Sequence, residues 1–284
     1  MECDGTELLA IAVSVARPAA ELAREMRVSG VGDVTTKSTE TDVVTAADQA
    51  VERQVRDALA AARPFDQVLG EEFGDAPRPG GRHGLRGDGA SQGADGRSAV
   101  RWILDPIDGT VNYLYGLRPY AVSLAAEIDG EVVAGVVIDA ATGEEWTATK
   151  GGGAFAAGRR LSGSGQQRLS QALVGTGFAY TSARRAHQAQ VLAGLLMHIR
   201  DIRRFGSAAV DLCYVADGRL DAFYEKGLNA WDHAAGGLVA REAGVLVSGS
   251  GGAPAGPDLV VAAPPGLHEQ LLGYLERLDA AGGP

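Results

Sequence analysis

The chain has 284 residues, 45% of them hydrophobic, with 26 Lys and Arg against 36 Asp and Glu for a formal net charge of −10. That length and apolar content describe a globular protein of one large or two modest domains with a sizeable core. The negative balance argues against nucleic acid or an anionic membrane held by bulk electrostatics, while leaving phosphate substrates open if bound cations reverse the local sign.

In chain order, Glu7 to Val28 reads as an amphipathic helix that Pro18 is expected to kink or split. A second helix runs from Thr45 to Arg63, with Asp48 in its first turn, a placement that the macrodipole alone would favour. Gln67-Val68-Leu69 is a short strand ending in Gly70-Glu71-Glu72. Residues 74 to 99 are poor in apolar side chains and dense in Gly, Arg and Asp, and read as a flexible surface insertion, either an inert loop or a lid over a neighbouring site. Val100-Arg101-Trp102-Ile103-Leu104 is a buried strand that delivers Asp105 at its carboxyl end, where ligands gather in open α/β sheets.

Asp105-Pro106-Ile107-Asp108-Gly109-Thr110 carries the most chemistry. Pro106 takes the chain out of the sheet as a loop that can turn Asp105, the Ile107 carbonyl and Asp108 to one point, and clustered hard oxygens suit Mg²⁺ or Mn²⁺. Gly109 allows close approach of an anion, and Thr110 opens a short helical segment through Tyr115. The hexapeptide is equally compatible with a capped surface turn. Further along, turn signals at Asp129-Gly130, Thr142-Gly143 and Ala157-Gly158 separate the strands of an antiparallel meander. Helices near 182–198 and 207–216, a strand 220–224, a helix capped by Asp232, strands 245–247 and 259–263, and a helix 267–278 complete an α/β half. Four acidic segments, all at element ends, are hard to attribute to caps together.

With Gly70-Glu71-Glu72, Asp105-Pro106-Ile107-Asp108-Gly109-Thr110 and Trp231-Asp232 in that order, the sequence resembles the inositol monophosphatase family. Lys37, Asp42-Val43-Val44-Thr45, Asp48, Gly206-Ser207-Ala208-Ala209 and Glu225 extend the resemblance over nearly the whole chain. It implies a five-layer αβαβα sandwich, where periodicity alone gives only α/β or α+β. The division expected is an N-terminal half, 1–170, with the metal motifs and an antiparallel sheet, and a C-terminal half, 171–284, that completes the site.

By resemblance, Glu71, Asp105, the Ile107 carbonyl, Asp108 and Asp232 hold two or three Mg²⁺ ions, and Asp48 and Thr110 orient and deprotonate the attacking water. The Gly109 and Thr110 amides bind phosphate, Glu72 plays a supporting part, Glu225 bonds substrate hydroxyls, and Ser207 and Ala208 line the pocket. The implied reaction is Mg²⁺-dependent hydrolysis of a phosphate monoester, with myo-inositol 1-phosphate leading. Fructose 1,6-bisphosphate, histidinol phosphate, a 3′-phosphonucleotide and NADP are rivals. Lithium sensitivity and a homodimer are also implied. No motif supplies a covalent nucleophile with an adjacent base, which favours direct attack by water. A metal-binding regulatory scaffold is the reading of another class, opposed by the intact Asp48 and Thr110 pair.

The remaining candidates read as packing or surface. Cys3 and Cys213 sit in no redox or metal spacing, no apolar run reaches spanning length, and no charged-then-apolar leader is evident, so a cytoplasmic location is expected. His233 follows Asp232 and is expected to pack behind the site, Trp102 and Trp231 to sit in the core, and Arg203-Arg204 to cap a helix or face solvent rather than meet substrate or a subunit interface.

Overall fold

The computed structural model describes residues 4–30, 34–37, 43–76 and 100–284. Asp42, and the insertion beyond its first three residues, lie outside that set. The N-terminal part consists of α1 (Gly5–Ser29), a two-stranded antiparallel ladder of β1 (Val34–Thr36) and β2 (Val43–Thr45), and α2 (Ala46–Ala62). Both helices cover one face of a large sheet. That sheet comprises β3 (Gln67–Gly70), β4 (Gly74–Ala76), β5 (Val100–Asp108), β6 (Ala121–Ile128), β7 (Glu131–Asp139), β8 (Glu144–Thr149), β9 (Gly153–Ala156) and β10 (Arg159–Arg160), in the order 10-9-8-7-6-5-3-4. It is antiparallel except where β3 runs parallel to β5. The six-residue α3 (Thr110–Tyr115) follows β5 directly.

A second, five-stranded sheet contains β11 (Leu173–Thr176), β12 (Asp201–Arg203), β13 (Ala222–Glu225), β14 (Leu246–Ser248) and β15 (Val260–Ala263), in the order 12-11-13-15-14. Its helices are α4 (Ser182–Leu196), α5 (Ala208–Ala216), α6 (Ala230–Glu242) and α7 (Pro265–Arg277). Buried residues fall into three cores that define five layers. One joins α1 and α2 to the large sheet, a second wraps α5 and α6 between the two sheets, and a third seats α4 and α7 on the outer face of the small sheet. Continuous apolar runs in α5 and α6, such as Ala208-Ala209-Val210 and Leu238-Val239-Ala240, follow from being covered on both sides. Among the described residues no helix is long and apolar enough to cross a membrane.

Two local readings change. Pro18 does not split α1, which runs unbroken from Gly5 to Ser29. A proline in a helix interior costs about 3 kcal/mol, but buried residues on both sides of it (Leu8, Ala12, Val15 and Ala16 before, Ala19, Ala20 and Ala23 after) hold both halves against the same core. The loop expected after Leu104 is instead a continuation of β5 to Asp108. Asp105 pairs with Ser123 and Asp108 with Ala121, so three steps along β5 oppose two along β6, a β-bulge. Pro106 sits inside that bulge, where the ladder needs no donor from it.

Candidate active site

The bulge creates the site. In a regular strand, residues three apart face opposite sides, but the extra residue restores parity and sends Asp105 and Asp108 to one side. The Ile107 N–H closes the turn on Asp105 Oδ1 at 3.1 Å. Gly109, with φ +96°, then starts α3 in the left-handed region, and a Cβ there would come within 3.0 Å of the Gly206 and Pro119 carbonyls. Because β3 is parallel to β5, Gly70 pairs with Leu104, and the Glu71 N–H donates to the Leu104 carbonyl at 3.3 Å. Glu71 therefore arrives beside Asp105, with its Oε1 2.8 Å from Lys37 Nζ.

Three helix starts aim at the same place. On α6, Asp232 is the third helical residue rather than the cap, and its Oδ2 accepts the N–H of the capping Asn229 at 2.5 Å. Ser123 of β6 donates to the Trp231 carbonyl at 3.3 Å, tying this helix start to the large sheet. On α2, Thr45 and Asp48 form a capping box, with the Thr45 N–H and hydroxyl donating to Asp48 Oδ2 at 2.8 and 2.6 Å. The other oxygen, Oδ1, lies 3.3 Å from Thr110 Oγ1, whose single proton is shared with the Ile107 carbonyl at 3.1 Å. At the start of α5, the Ser207 hydroxyl and the Ala209 N–H both donate to Asp108 Oδ2 at 2.7 Å, leaving Oδ1 for another partner.

These groups stand around a cavity of about 500 Å³ lined by Lys37, Glu71, Asp105, Ile107, Asp108, Gly109, Thr110, Ala208, Glu225 and Asp232, with residues 177–181 on its rim. Among the described residues, Asp105, Asp108 and Asp232 present carboxylate oxygens all within 4.8 Å of one another. A family model described as "Inositol monophosphatase family" matches residues 4–280. The chain belongs to the inositol monophosphatase family. A protein named "Inositol-1-monophosphatase" from Mycobacterium leprae is 44% identical over 291 residues, covering 97% of this chain and 96% of that relative. One named "Nus factor SuhB" from Pseudomonas aeruginosa is 41% identical over 249 residues, covering 85% and 84%. The solved structure of Mycobacterium tuberculosis SuhB superposes with a TM-score of 0.80 at 39% identity, covering 99% of this chain and 100% of that one. With the family comes the class of enzyme, a phosphoric monoester hydrolase.

The electrostatics of the cluster fit the metal dependence of the inositol monophosphatase family. Burial, then the charges of Glu71, Asp108 and Asp232, push the Asp105 carboxyl well above the usual range. Asp108 rises to about 6 through burial, against the Ser207 and Ala209 hydrogen bonds that hold it down. Burial and the neighbouring Asp108 and Glu71 raise Asp232, and burial lifts Asp48 to about 6. Buried carboxylates so close together repel one another, and a hard divalent cation relieves that repulsion. Glu71 lines the cavity but stands outside the three-carboxylate group, paired with Lys37.

Most of the expected site residues meet here, with two adjustments. Asp48 lies behind Thr110, fully buried, rather than on the cavity wall. Ser207 is also buried and is absent from the wall, which its neighbours Gly206 and Ala208 provide, because its hydroxyl is committed to Asp108. Glu225 lines the cavity from the C-terminus of β13, its carboxyl raised to about 8 by burial, with Arg204 opposing and Asp108 adding to the shift. Trp102 is core as expected, whereas Trp231 and Arg204 line the cavity, and Arg203 pairs with Asp201. Arg184, which also lines the cavity, is not singled out by sequence reasoning, which for Arg204 favours a capping or solvent role over contact with substrate. The only available signal for Arg204 was its position two residues before Gly206-Ser207-Ala208.

Proposed function

We propose that the chain hydrolyses a phosphate monoester with Mg²⁺, most readily myo-inositol 1-phosphate, by direct attack of water. The observation that carries this reading is the convergence of Asp105, Asp108 and Asp232 within 4.8 Å on the wall of a cavity that Glu225 also lines. Asp105, Asp108, Asp232, Glu71 and the Ile107 carbonyl would hold the ions, two or three Mg²⁺ with Mn²⁺ as a substitute. When bound, the cations neutralise the phosphate dianion and lower the pKa of water.

The chain's own residues supply the rest. Asp48, held by Thr45 through one oxygen, uses the other to orient the Thr110 hydroxyl, and the pair aims a water and takes its proton. The Gly109 and Thr110 amides hold phosphate oxygens. Glu225 bonds ring hydroxyls, and Ala208 and the 177–181 rim close around a compact polyol. The N-terminal half, 1–170, carries the ion ligands up to Asp108, and the C-terminal half, 171–284, contributes Asp232 and the polyol contacts. A cytoplasmic homodimer fits the family.

Phosphate release from inositol 1-phosphate, fructose 1,6-bisphosphate, histidinol phosphate, 3′-phosphoadenosine 5′-phosphate and NADP, with and without Mg²⁺ and Li⁺, tests the assignment. Preference for inositol 1-phosphate supports it; preference for another ester keeps the chemistry and removes the substrate. The relative named "Nus factor SuhB" favours one second reading, a protein-binding scaffold that keeps this fold. Mg²⁺ binding without turnover of any ester would support that reading.

A further inference from the structure

Glu52 is fully buried on α2, one turn beyond Asp48 and on the same face of the helix, and no step proposed above uses it. Its Oε2 accepts the Glu72 N–H at 2.8 Å, while Oε1 accepts the Phe73 N–H at 3.2 Å and Arg56 Nε at 2.8 Å. Arg56 also donates to the Val68 carbonyl at 3.2 Å and to the Gly74 carbonyl at 2.5 Å. The guanidinium groups of Arg53 and Arg56 stand over the Phe73 ring, 5.6 and 6.0 Å from its centroid. The turn between β3 and β4 is thus gripped from α2 by a charged pair. Gly70 makes room for it, since a Cβ there would lie 2.1 Å from Glu52 Oε1.

The two bonds nearest Glu71 have a specific geometric effect. The Glu71 N–H is held by the Leu104 carbonyl, which fixes the peptide plane before its Cα. The Glu72 N–H, held by Glu52, belongs to the plane after it. Both dihedrals of Glu71 are therefore set, one from β5 next to Asp105 and the other from α2 next to Asp48. A contact that only joined helix to sheet would be served by apolar side chains, without the cost of desolvating a carboxylate.

We propose that Glu52 is a positioning residue for Glu71, locking the side chain's backbone so that its carboxylate is presented to the ion site in register with Asp48. This rests on the reading of Glu71 as an ion ligand. The test measures Mg²⁺ binding by calorimetry, alongside melting in chelator, for the full chain and for Glu52→Gln, Gly70→Ala, Glu71→Gln and the Glu52→Gln/Glu71→Gln double variant. The Glu52→Gln change keeps the shape of the side chain but turns an amide NH₂ toward a backbone donor. Glu52→Gln and Gly70→Ala are each expected to weaken Mg²⁺ by about tenfold or more. The double variant should lose little beyond Glu71→Gln alone, because the two act through one carboxylate.

If Glu52→Gln and Gly70→Ala bind Mg²⁺ within about twofold of the parent while Glu71→Gln binds poorly, the positioning role is overturned and the ligand reading stands, whatever the melting temperatures. If Glu71→Gln itself binds like the parent, the ligand reading fails and the positioning role fails with it. Should Glu52→Gln not fold, Gly70→Ala decides the matter.

Discussion

Replacing Ser207 by alanine should destabilise the ion-free protein and weaken cation binding at acid pH. Ser207 is the N-cap of α5, yet its side chain makes no capping bond, so its removal costs the helix little. What is lost is a 2.7 Å hydrogen bond to Asp108 Oδ2, while backbone N–H donation to the carboxylate from Ala209, and from Ala208, survives. Hydrogen bonds to buried charged groups are worth about 1.5–3 kcal/mol, and the surviving N–H groups place this one at the lower end. The ion-free and ion-bound sites both lose this bond, so where Asp108 is ionised the about 1.5–2 kcal/mol falls on stability, and Mg²⁺ affinity suffers only through the proton. The same loss moves the Asp108 carboxyl about one unit above its present value of about 6. Proton competition then makes the deficit larger near about pH 6 than near about pH 8. Calorimetric Mg²⁺ titration of Ser207→Ala at both pH values is the assay. A Mg²⁺ affinity within about twofold of the parent near about pH 6, together with parental melting, would refute the reasoning.

Three further outcomes are expected. Asp48→Asn, and Thr110→Val more than Thr110→Ser, should lower kcat by roughly 10²- to 10⁴-fold with KM little changed, as for loss of a general base; a rise in KM with kcat intact would contradict it. Glu225→Gln should raise KM for inositol 1-phosphate by roughly 5- to 30-fold, about 1–2 kcal/mol, while leaving an aryl phosphate nearly unaffected; equal loss on both esters would remove Glu225 from polyol recognition. His233 is held down to about 4 by burial, with Arg241 adding to the effect, so the unfolded chain takes up a proton that the native state refuses. Its contribution to stability is full above the unfolded value of about 6.5, falls as pH drops toward 4, and amounts to about 3 kcal/mol at most. Subtracting the pH–stability curve of His233→Leu from that of the parent should isolate this slope, and a flat difference would contradict it.

The path from local residues to site was readable where one residue pattern carries one consequence. The apolar run Val100–Leu104 followed by two carboxylates located the site, and Gly109 before Thr110 and Asp48 in a first turn marked two helix starts, although the Thr45-to-Asp48 box itself was not foreseen. The bulge was not readable, because it depends on the register of β5 against β6 and Pro106 alone suggests an exit from the sheet. That α1 continues through Pro18 was not readable for a related reason, since burial on both sides of it outweighs a local helix breaker. The edge strands β4 and β12 are three residues each and too short to show a period. Ser207 and Glu52 turn their polar atoms to groups 99 and 20 residues away, and Arg204 reaches the cavity from an exposed loop. Such partnerships are set by the packing of the two sheets and have no signature in spacing.

The most direct test of the central claim is phosphate release from inositol 1-phosphate by the parent and by Asp105→Asn, each assayed in chelator and in Mg²⁺. Asp105→Asn keeps the size of the side chain and removes one charge from the carboxylate group. Turnover that requires Mg²⁺ and is abolished in a folded Asp105→Asn protein is the expected result. Turnover in chelator, or an Asp105→Asn protein as active as the parent, would contradict metal-dependent hydrolysis at this site.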